Sequence, residues 1–267
     1  MTQRFVDRGY LTGVQYASDK NLAARQAIYR FQDPPVRSPV WALDLADLRG
    51  DERVLDVGCG NGAHLAELAA RSHRGPVYGM DLSVGMLVAV RERSGAALSV
   101  GDAERLPFPD DAFDRVLAMH MLYHVPDRDR AVAAIRRVLR PDGTALFLTN
   151  SDSHLAELNA MVASALHDVV GIEAGARRAY LGFSSESGSP ELERHFASVH
   201  RYDARSELVV TEVEPMVAYV ASMGWMTQAT AEMTEPVLDE IARRTRAAID
   251  ETGAFRTRTD VGCFVCR

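Results

Sequence analysis

Three glycines stand at alternate positions directly after a short apolar segment: Gly58, Gly60 and Gly62 follow residues 54–57. Glycine adopts backbone conformations that side chains forbid, and the free N–H groups at the start of a helix attract polar ligands. The pattern predicts a strand-to-helix turn of the kind that binds nucleotides. Because Gly58, Gly60 and Ala63 also satisfy the dinucleotide fingerprint, the glycines alone leave the class of cofactor open.

Asp56 narrows the choice of cofactor because it stands two residues before the first glycine. A carboxylate at this position would repel the pyrophosphate of a dinucleotide. S-adenosylmethionine has no phosphate and carries an ammonium and a sulfonium cation, which a carboxylate attracts directly or through water. Asp56 therefore favours S-adenosylmethionine, and capping of the turn is the alternative role for this residue.

Two further aspartates stand where the next two predicted strands end. Asp81 is placed to accept hydrogen bonds from both ribose hydroxyls, in either cofactor class. Its alternative role is to cap the following helix, for which Ser83 is better placed. Asp102 follows Gly101, and its carboxylate can meet the amino group of adenine; a plain turn is the alternative.

The order and spacing of these motifs resemble the class I S-adenosylmethionine-dependent methyltransferases, in the small-molecule branch that includes ubiquinone, menaquinone and natural-product enzymes. The matching segments are residues 54–62, 78–83, 101–104, 113–114, 122–127 and 137–143. The resemblance implies S-adenosylmethionine as cofactor and S-adenosylhomocysteine as product, with the methionine moiety at the glycine turn. The predicted cofactor-binding residues in this region are Asp56, Gly58, Gly60, Asn61, Asp81, Leu82, Asp102, Ala103 and Met119.

The N-terminal 48 residues are predicted to form a helical lid. Residues 10–31 resemble the lid of natural-product members of the family, in which a tyrosine and an arginine close over the carboxylate of the cofactor. Tyr16 and Arg25 match those two positions. For Arg25, the alternative is a place on a solvated helix face.

Two histidines are candidates for the base that removes a proton from the methyl acceptor. His120 lies just past the fourth predicted strand, where side chains face the reactive end of the cofactor, and His124 follows four residues later. Imidazole accepts a proton well near neutral pH, as a hydroxyl acceptor requires. The alternatives are a pocket-wall role for His120 and a structural role for His124. The other histidines are assigned no role.

Substrate contacts are expected from the lid and from a C-terminal cap. Trp41, Tyr219 and Trp225 are predicted to line an apolar pocket between these two segments. Tyr219 has helical spacing from Met216 and Met223, so plain packing in the core is the alternative for it.

An alternation of strands and helices would position these residues. Strands are predicted at residues 53–57, 77–80, 97–100, 113–119, 144–149, 206–211 and 255–266, and helices at about 19–31, 39–48, 62–72, 84–93, 127–139, 152–170, 214–223 and 232–250. This order predicts a doubly wound, Rossmann-like α/β sheet with helices on both faces. The resemblance implies seven strands, the last of them antiparallel. We expect a lid at residues 1–48 and a Rossmann-like methyltransferase domain at 49–267, with a cap insert at about 212–252.

Composition disfavours several other classes of protein. With 37 acidic and 30 basic side chains the formal charge is −7, and no basic run is present, so a nucleic-acid partner is disfavoured. No segment approaches the ~18 apolar residues of a membrane span and the first residues carry no apolar signal core, so we expect a cytoplasmic protein without a membrane partner. Cys263 and Cys266 would point to opposite faces of a strand, so no metal site is predicted.

The motifs and the resemblance together predict an enzyme that transfers a methyl group from S-adenosylmethionine to an O or N atom of a small molecule, in secondary metabolism. One alternative is an RNA methyltransferase built on the same sheet. Another is a protein that binds S-adenosylmethionine without transferring methyl, and a nicotinamide dehydrogenase is the fourth reading, against which Asp56 speaks. The identity of the acceptor, the atom methylated and the oligomeric state are left open by the sequence.

Overall fold

The computed structural model describes residues 6–91, 94–173, 182–224, 226 and 230–267. Within these ranges, eight strands form one sheet: β1 Gln32–Asp33, β2 Val54–Val57, β3 Val77–Asp81, β4 Ala97–Val100, β5 Phe113–Met119, β6 Leu139–Asn150, β7 Val199–Val210 and β8 Phe255–Cys266. Their spatial order is β1-β7-β8-β6-β5-β2-β3-β4.

The centre of the sheet is parallel. Strands β4, β3, β2, β5 and β6 pair in parallel, and the final strand β8 runs antiparallel between β6 and β7. All four residues of β2 are buried, as expected for a strand with helices on both faces. The doubly wound sheet with an antiparallel last strand is therefore confirmed.

An additional edge strand was missed by the sequence pattern. Residues of β1 pair antiparallel with β7, Gln32 opposite Leu208 and Asp33 opposite Glu207. Two residues before a pair of prolines carry no periodicity, so only the pairing in three dimensions identifies them as a strand.

Helices surround the sheet and build the lid and the cap. Those described are α1 Arg8–Tyr10, α2 Lys20–Ala27, α3 Ser38–Leu45, α4 Ala63–Ala70, α5 Val84–Arg91, α6 Arg128–Val138, α7 Ala156–Val170, α8 Ser189–Leu192, α9 Val213–Ala221 and α10 Ala231–Thr252. A π-helical turn at Leu11–Gln15 and a 3₁₀ helix at Ile28–Phe31 complete the lid.

Two strands are longer than the sequence predicts. Strand β7 begins at Val199 rather than at residue 206, because its first half carries exposed polar side chains that hide the alternation. Strand β6 begins at Leu139 rather than at residue 144. In β7, pairing with β8 along the whole strand overrides the local signal.

The lid and the cap share one buried cluster. Ile28 of the lid is fully buried and belongs to the same hydrophobic cluster as Val162 of α7, Met216 of α9 and Ile241 of α10. This cluster lies beside the carboxyl end of β6, where Leu155 belongs to it. Packing between the two ends of the chain therefore closes one side of the sheet's carboxyl edge.

No helix in the described ranges is both long and apolar enough to cross a bilayer. The three cysteines are buried free thiols. Cys263 and Cys266 belong to different hydrophobic clusters, as expected for residues three apart on β8.

Candidate functional site

A cavity of about 1490 Å³ opens along the carboxyl edge of the parallel strands. Each of β2 to β6 contributes the residue that ends it or follows it, namely Gly58, Asp81, Gly101, His120 and Asn150. Ligands of open α/β sheets bind at this edge. The volume exceeds the ~300–1,000 Å³ of a single small-molecule pocket, so there is room for two ligands side by side.

The glycine turn forms one wall of the cavity and needs its glycines. Gly58, Gly60 and Gly62 have φ values of +70°, +54° and +79°, in the left-handed region that other residues avoid. A Cβ atom on Gly58 would lie 2.8 Å from the Cβ of Met121. The amides of Gly58 and Cys59 donate to the carbonyl of Met80, at 2.7 and 3.0 Å, which fixes the turn against β3.

Asp56 lies beneath this turn with its carboxyl group fully buried. Neither carboxyl oxygen has a hydrogen-bond partner among the described residues. Burial, and next the charge of Asp81, raise the pKa of Asp56 to about 8. The side chain does not line the cavity, so it would act on a ligand through the turn, by charge or through a water.

Asp81 lies at the end of β3 and lines the cavity. Its Oδ2 accepts the Gly60 N–H at 2.9 Å and its Oδ1 accepts the Ser83 N–H at 2.8 Å. Burial raises the pKa of Asp81 while these amides oppose the shift. Ser83 accepts the Met86 N–H at 3.3 Å, so the helix-capping role falls to Ser83 and Asp81 keeps lone pairs toward the cavity.

Asp102 and Ala103 line the cavity beyond the end of β4. Asp102 accepts the Glu104 N–H at 3.0 Å and pairs with Arg8 of the lid at 2.6 Å. Arg8 also pairs with Glu104 at 3.0 Å. The sequence does not predict this lid contact, because nothing local links Arg8 to a strand end nearly a hundred residues away.

The predicted lid residues meet over the cavity. The Tyr16 hydroxyl lies 3.0 Å from Nε2 of His124, and burial raises the pKa of Tyr16. The Arg25 guanidinium lies 5.5 Å from the centre of the Tyr16 ring, and its Nη1 donates to the Ser222 carbonyl at 2.9 Å. The other terminal nitrogen, Nη2, is buried without a hydrogen-bond partner among the described residues, and Arg25 is one of the residues that line the cavity.

Three more predicted cofactor residues also line the cavity. Asn61 donates from Nδ2 to Oε1 of Gln26 in the lid at 2.7 Å, while Leu82 and Met119 contribute apolar wall. The Asn61–Gln26 hydrogen bond joins the lid directly to the glycine turn.

His120 follows β5 with a φ of +53°, and it lines the cavity. Burial lowers the pKa of His120 to about 4. His64, in the first turn of α4, also lines the cavity, and burial together with the proximity of His120 lowers its pKa to about 3. Both imidazoles are therefore neutral near pH 7. The sequence gives His64 no role, because its helix position does not show which face is buried.

The three predicted substrate residues differ in where the structure places them. Tyr219 of α9 is buried and lines the cavity. Trp41 of α3 packs against the hydrophobic cluster on the side of the sheet that includes Leu117 and Val261, and it is not among the cavity-lining residues. Helix α3 turns this face to the sheet, so Trp41 serves packing. Trp225 lies outside the described residues.

A polar group near the carboxyl end of β6 is not predicted from the sequence. Tyr29, His154 and Asn159 all line the cavity. The position of His154 and Asn159 after β6 could have identified them, because ligands of a parallel sheet bind at the carboxyl ends of its strands.

Comparison with known proteins identifies a family model and several relatives that the chain resembles. Residues 55–147 match a family model described as a methyltransferase domain. The chain is 35% identical over 186 residues to a malonyl-[acyl-carrier protein] O-methyltransferase of Geobacter sulfurreducens, covering 68% of this chain and 69% of that protein. It is 41% identical over 135 residues to a fatty-acid O-methyltransferase of Mycolicibacterium smegmatis, covering 43% of this chain and 48% of that protein.

A solved structure shares the fold at low sequence identity. It is an N-methyltransferase of Haemonchus contortus in complex with phosphomonomethylethanolamine and S-adenosylhomocysteine. It superposes with a TM-score of 0.59 at 18% identity, covering 98% of this chain and 59% of that chain.

Proposed function

Because the chain belongs to the S-adenosylmethionine-dependent methyltransferases, we propose that it transfers a methyl group to an oxygen or nitrogen atom of a small, largely apolar metabolite. The observation that carries the proposal is the cavity, in which charged groups suited to the cofactor lie beside an apolar acceptor half. The two named relatives are O-methyltransferases, which favours oxygen as the acceptor atom.

The residues present fit S-adenosylmethionine. Nη2 of Arg25, which has no hydrogen-bond partner in the described part of the chain, suits the carboxylate of its methionine moiety. The carboxyl group of Asp56, also without such a partner there, suits the nearby cationic centres. Asp81 would accept the ribose hydroxyls, and Asp102 with Ala103 would border the adenine. When bound, the cofactor supplies a methyl group that its sulfonium already activates.

His120 would contact the acceptor, because it follows β5 in the middle of the carboxyl edge. A neutral imidazole can accept a hydrogen bond or a proton from a hydroxyl group. Its low pKa, about 4, makes it a weak base, so we infer that it chiefly orients the acceptor. Alignment of the reacting atoms contributes a large share of the rate in such displacements.

The acceptor half of the cavity indicates a small apolar molecule. Val162 and Leu166 of α7 line it together with Tyr219 and Met223. The lid covers the site through contacts at Tyr16 and Arg25. An extended RNA would need a basic surface, whereas the chain carries a net charge of −7.

Calorimetry with S-adenosylmethionine and S-adenosylhomocysteine tests the cofactor site. We expect the wild type to bind both, and Asp81→Asn to weaken binding at least tenfold, since it removes the charge that would hold the ribose hydroxyls. The matched control is Asp110→Asn, an exposed carboxylate outside the cavity, which should leave affinity unchanged. A folded wild type that binds neither compound would refute the proposed function.

A further inference from the structure

Tyr29, His154 and Asn159 form a polar group in the otherwise apolar half of the cavity. Tyr29 comes from the 3₁₀ helix of the lid, His154 from the segment between β6 and α7, and Asn159 from the first turn of α7. The lid and the segment that follows β6 therefore meet at one place.

The imidazole of His154 is held at both of its nitrogens. Its Nε2 lies 2.9 Å from the Tyr29 hydroxyl, and its Nδ1 lies 3.1 Å from both the N and the O of Asp260 in β8. The Tyr29 and His154 rings are stacked with centres 6.3 Å apart. This double anchoring holds the Tyr29–His154 pair in a fixed orientation at the cavity wall.

Asn159 supplies the observation that points to a ligand. Its Nδ2 donates to the His154 carbonyl at 3.2 Å, which orients the amide. Its Oδ1 is buried and has no hydrogen-bond partner among the described residues. A buried acceptor left unpaired costs about 1–3 kcal/mol, and a donor on a bound molecule would remove that cost.

The position of the group relative to the reaction centre follows from the sheet. The cofactor residues end β2, β3 and β4, whereas Ser151 and His154 follow β6, on the other side of β5. Met119 of β5 pairs with Leu148 of β6, so the backbones carrying His120 and Thr149 lie ~4.8 Å apart. The polar group therefore belongs to the acceptor half of the cavity, beyond His120 from the cofactor.

We propose that Tyr29, His154 and Asn159 form an acceptor subsite that binds a hydroxyl group on an otherwise apolar molecule. A hydroxyl donates one hydrogen bond, here to Oδ1 of Asn159, and accepts others, which the Tyr29–His154 pair can supply. Val162, Leu166 and Met223 would contact the apolar body. The assignment rests on the proposed function, because that function identifies the bound molecule as the methyl acceptor.

The test compares two probes that differ in a hydrogen-bond donor. Binding of 1-decanol and of decyl methyl ether is measured by calorimetry with protein saturated by S-adenosylhomocysteine. We expect the wild type to bind the alcohol about tenfold more tightly than the ether, because only the alcohol satisfies Asn159. In Asn159→Leu and in Tyr29→Phe the preference should fall below about twofold.

A matched variant separates recognition of the hydroxyl from general damage to the cavity. Leu166→Ala shortens the apolar wall, so it should weaken both probes alike and keep the preference for the alcohol. Thermal unfolding of each variant verifies its fold, and Tyr29→Phe keeps the ring if Asn159→Leu does not fold.

Equal affinity for the two probes in the wild type overturns the proposal, as does failure of both to bind or a preference that survives in both subsite variants. Affinity for S-adenosylhomocysteine should be unchanged in Asn159→Leu. If the wild type does not bind S-adenosylhomocysteine, the proposed function fails. The comparison of probes on the cofactor-free protein still decides the subsite.

Discussion

Asp56→Asn tests whether the buried carboxyl group under the glycine turn favours the cofactor at the expense of stability. In the cofactor-free protein its pKa is about 8, against an ordinary value of 3.8. Between these two values the folded protein keeps a proton that the unfolded chain has lost. Stability therefore falls as the pH rises through this window, and asparagine, which does not ionise, escapes the loss.

The shift sets the size of the expected effect. Linkage gives a cost of Asp56 to the folded state of about 2 kcal/mol at pH 5 and about 4 kcal/mol at pH 7. Asp56→Asn should therefore stabilise the cofactor-free protein, and more so at pH 7 than at pH 5. The increase from pH 5 to pH 7, about 2–3 kcal/mol, is independent of other effects of the substitution.

Cofactor affinity should change in the opposite direction. A nearby cation lowers the pKa of a carboxyl group by about 1–3 units, so binding would draw Asp56 toward its ionised form. For a fall of about two units, the wild type should bind S-adenosylmethionine about tenfold more tightly than the variant at pH 7, and about twofold at pH 6. The ratio of wild type to variant cancels the titration of the ligand's own amino group.

Urea unfolding at pH 5 and pH 7, with calorimetry at pH 6 and pH 7, measures both effects. Asp110→Asn is the control, because that carboxylate is exposed and its ion pair with Arg137 is worth at most about 1 kcal/mol. A variant destabilised at pH 7, or a stability difference that does not grow with pH, would refute the reasoning about burial. An affinity ratio independent of pH would remove Asp56 from the cofactor site.

Three further predictions concern the cofactor site and the turn. Arg25→Gln should lower affinity for S-adenosylhomocysteine about tenfold, but it should not change affinity for 5′-methylthioadenosine, which lacks the carboxylate. Calorimetry with both ligands checks this, and equal losses would mean that Arg25 only supports the lid. His120→Ala should lower kcat at least tenfold while the Kd for S-adenosylmethionine stays within about twofold, and parallel losses in a turnover assay would make His120 a wall of the pocket. Gly58→Ala should destabilise the protein by about 1–3 kcal/mol in urea unfolding, because Gly58 has a positive φ and a Cβ there would lie 2.8 Å from Met121. Gly13→Ala is the control and should not destabilise the protein, because a Cβ at Gly13 would have nothing within 4 Å. Equal effects of the two substitutions would contradict the steric argument.

The sequence predicts which residues meet at the glycine-turn side of the cavity, because the signals there are local. Each of these motifs follows a strand that its own apolar residues predict: the turn at Gly58, Asp81 and Asp102. Parallel strands bring their carboxyl ends to one edge, so the order of motifs along the chain already places them together. The antiparallel last strand came from the resemblance, and the structure bears it out.

The acceptor half depends on contacts between distant segments, and there the sequence alone is insufficient. Trp41 is a large aromatic residue of a type that often lines pockets, yet α3 turns it toward the sheet. Tyr29 and His154 are far apart in the sequence, and they meet because the lid packs against the segment that follows β6. The sequence thus determined, through local turns, which polar groups gather at the glycine turn. The tertiary structure decided which polar side chains face the rest of the cavity, because burial and the direction of a helix face are set by packing.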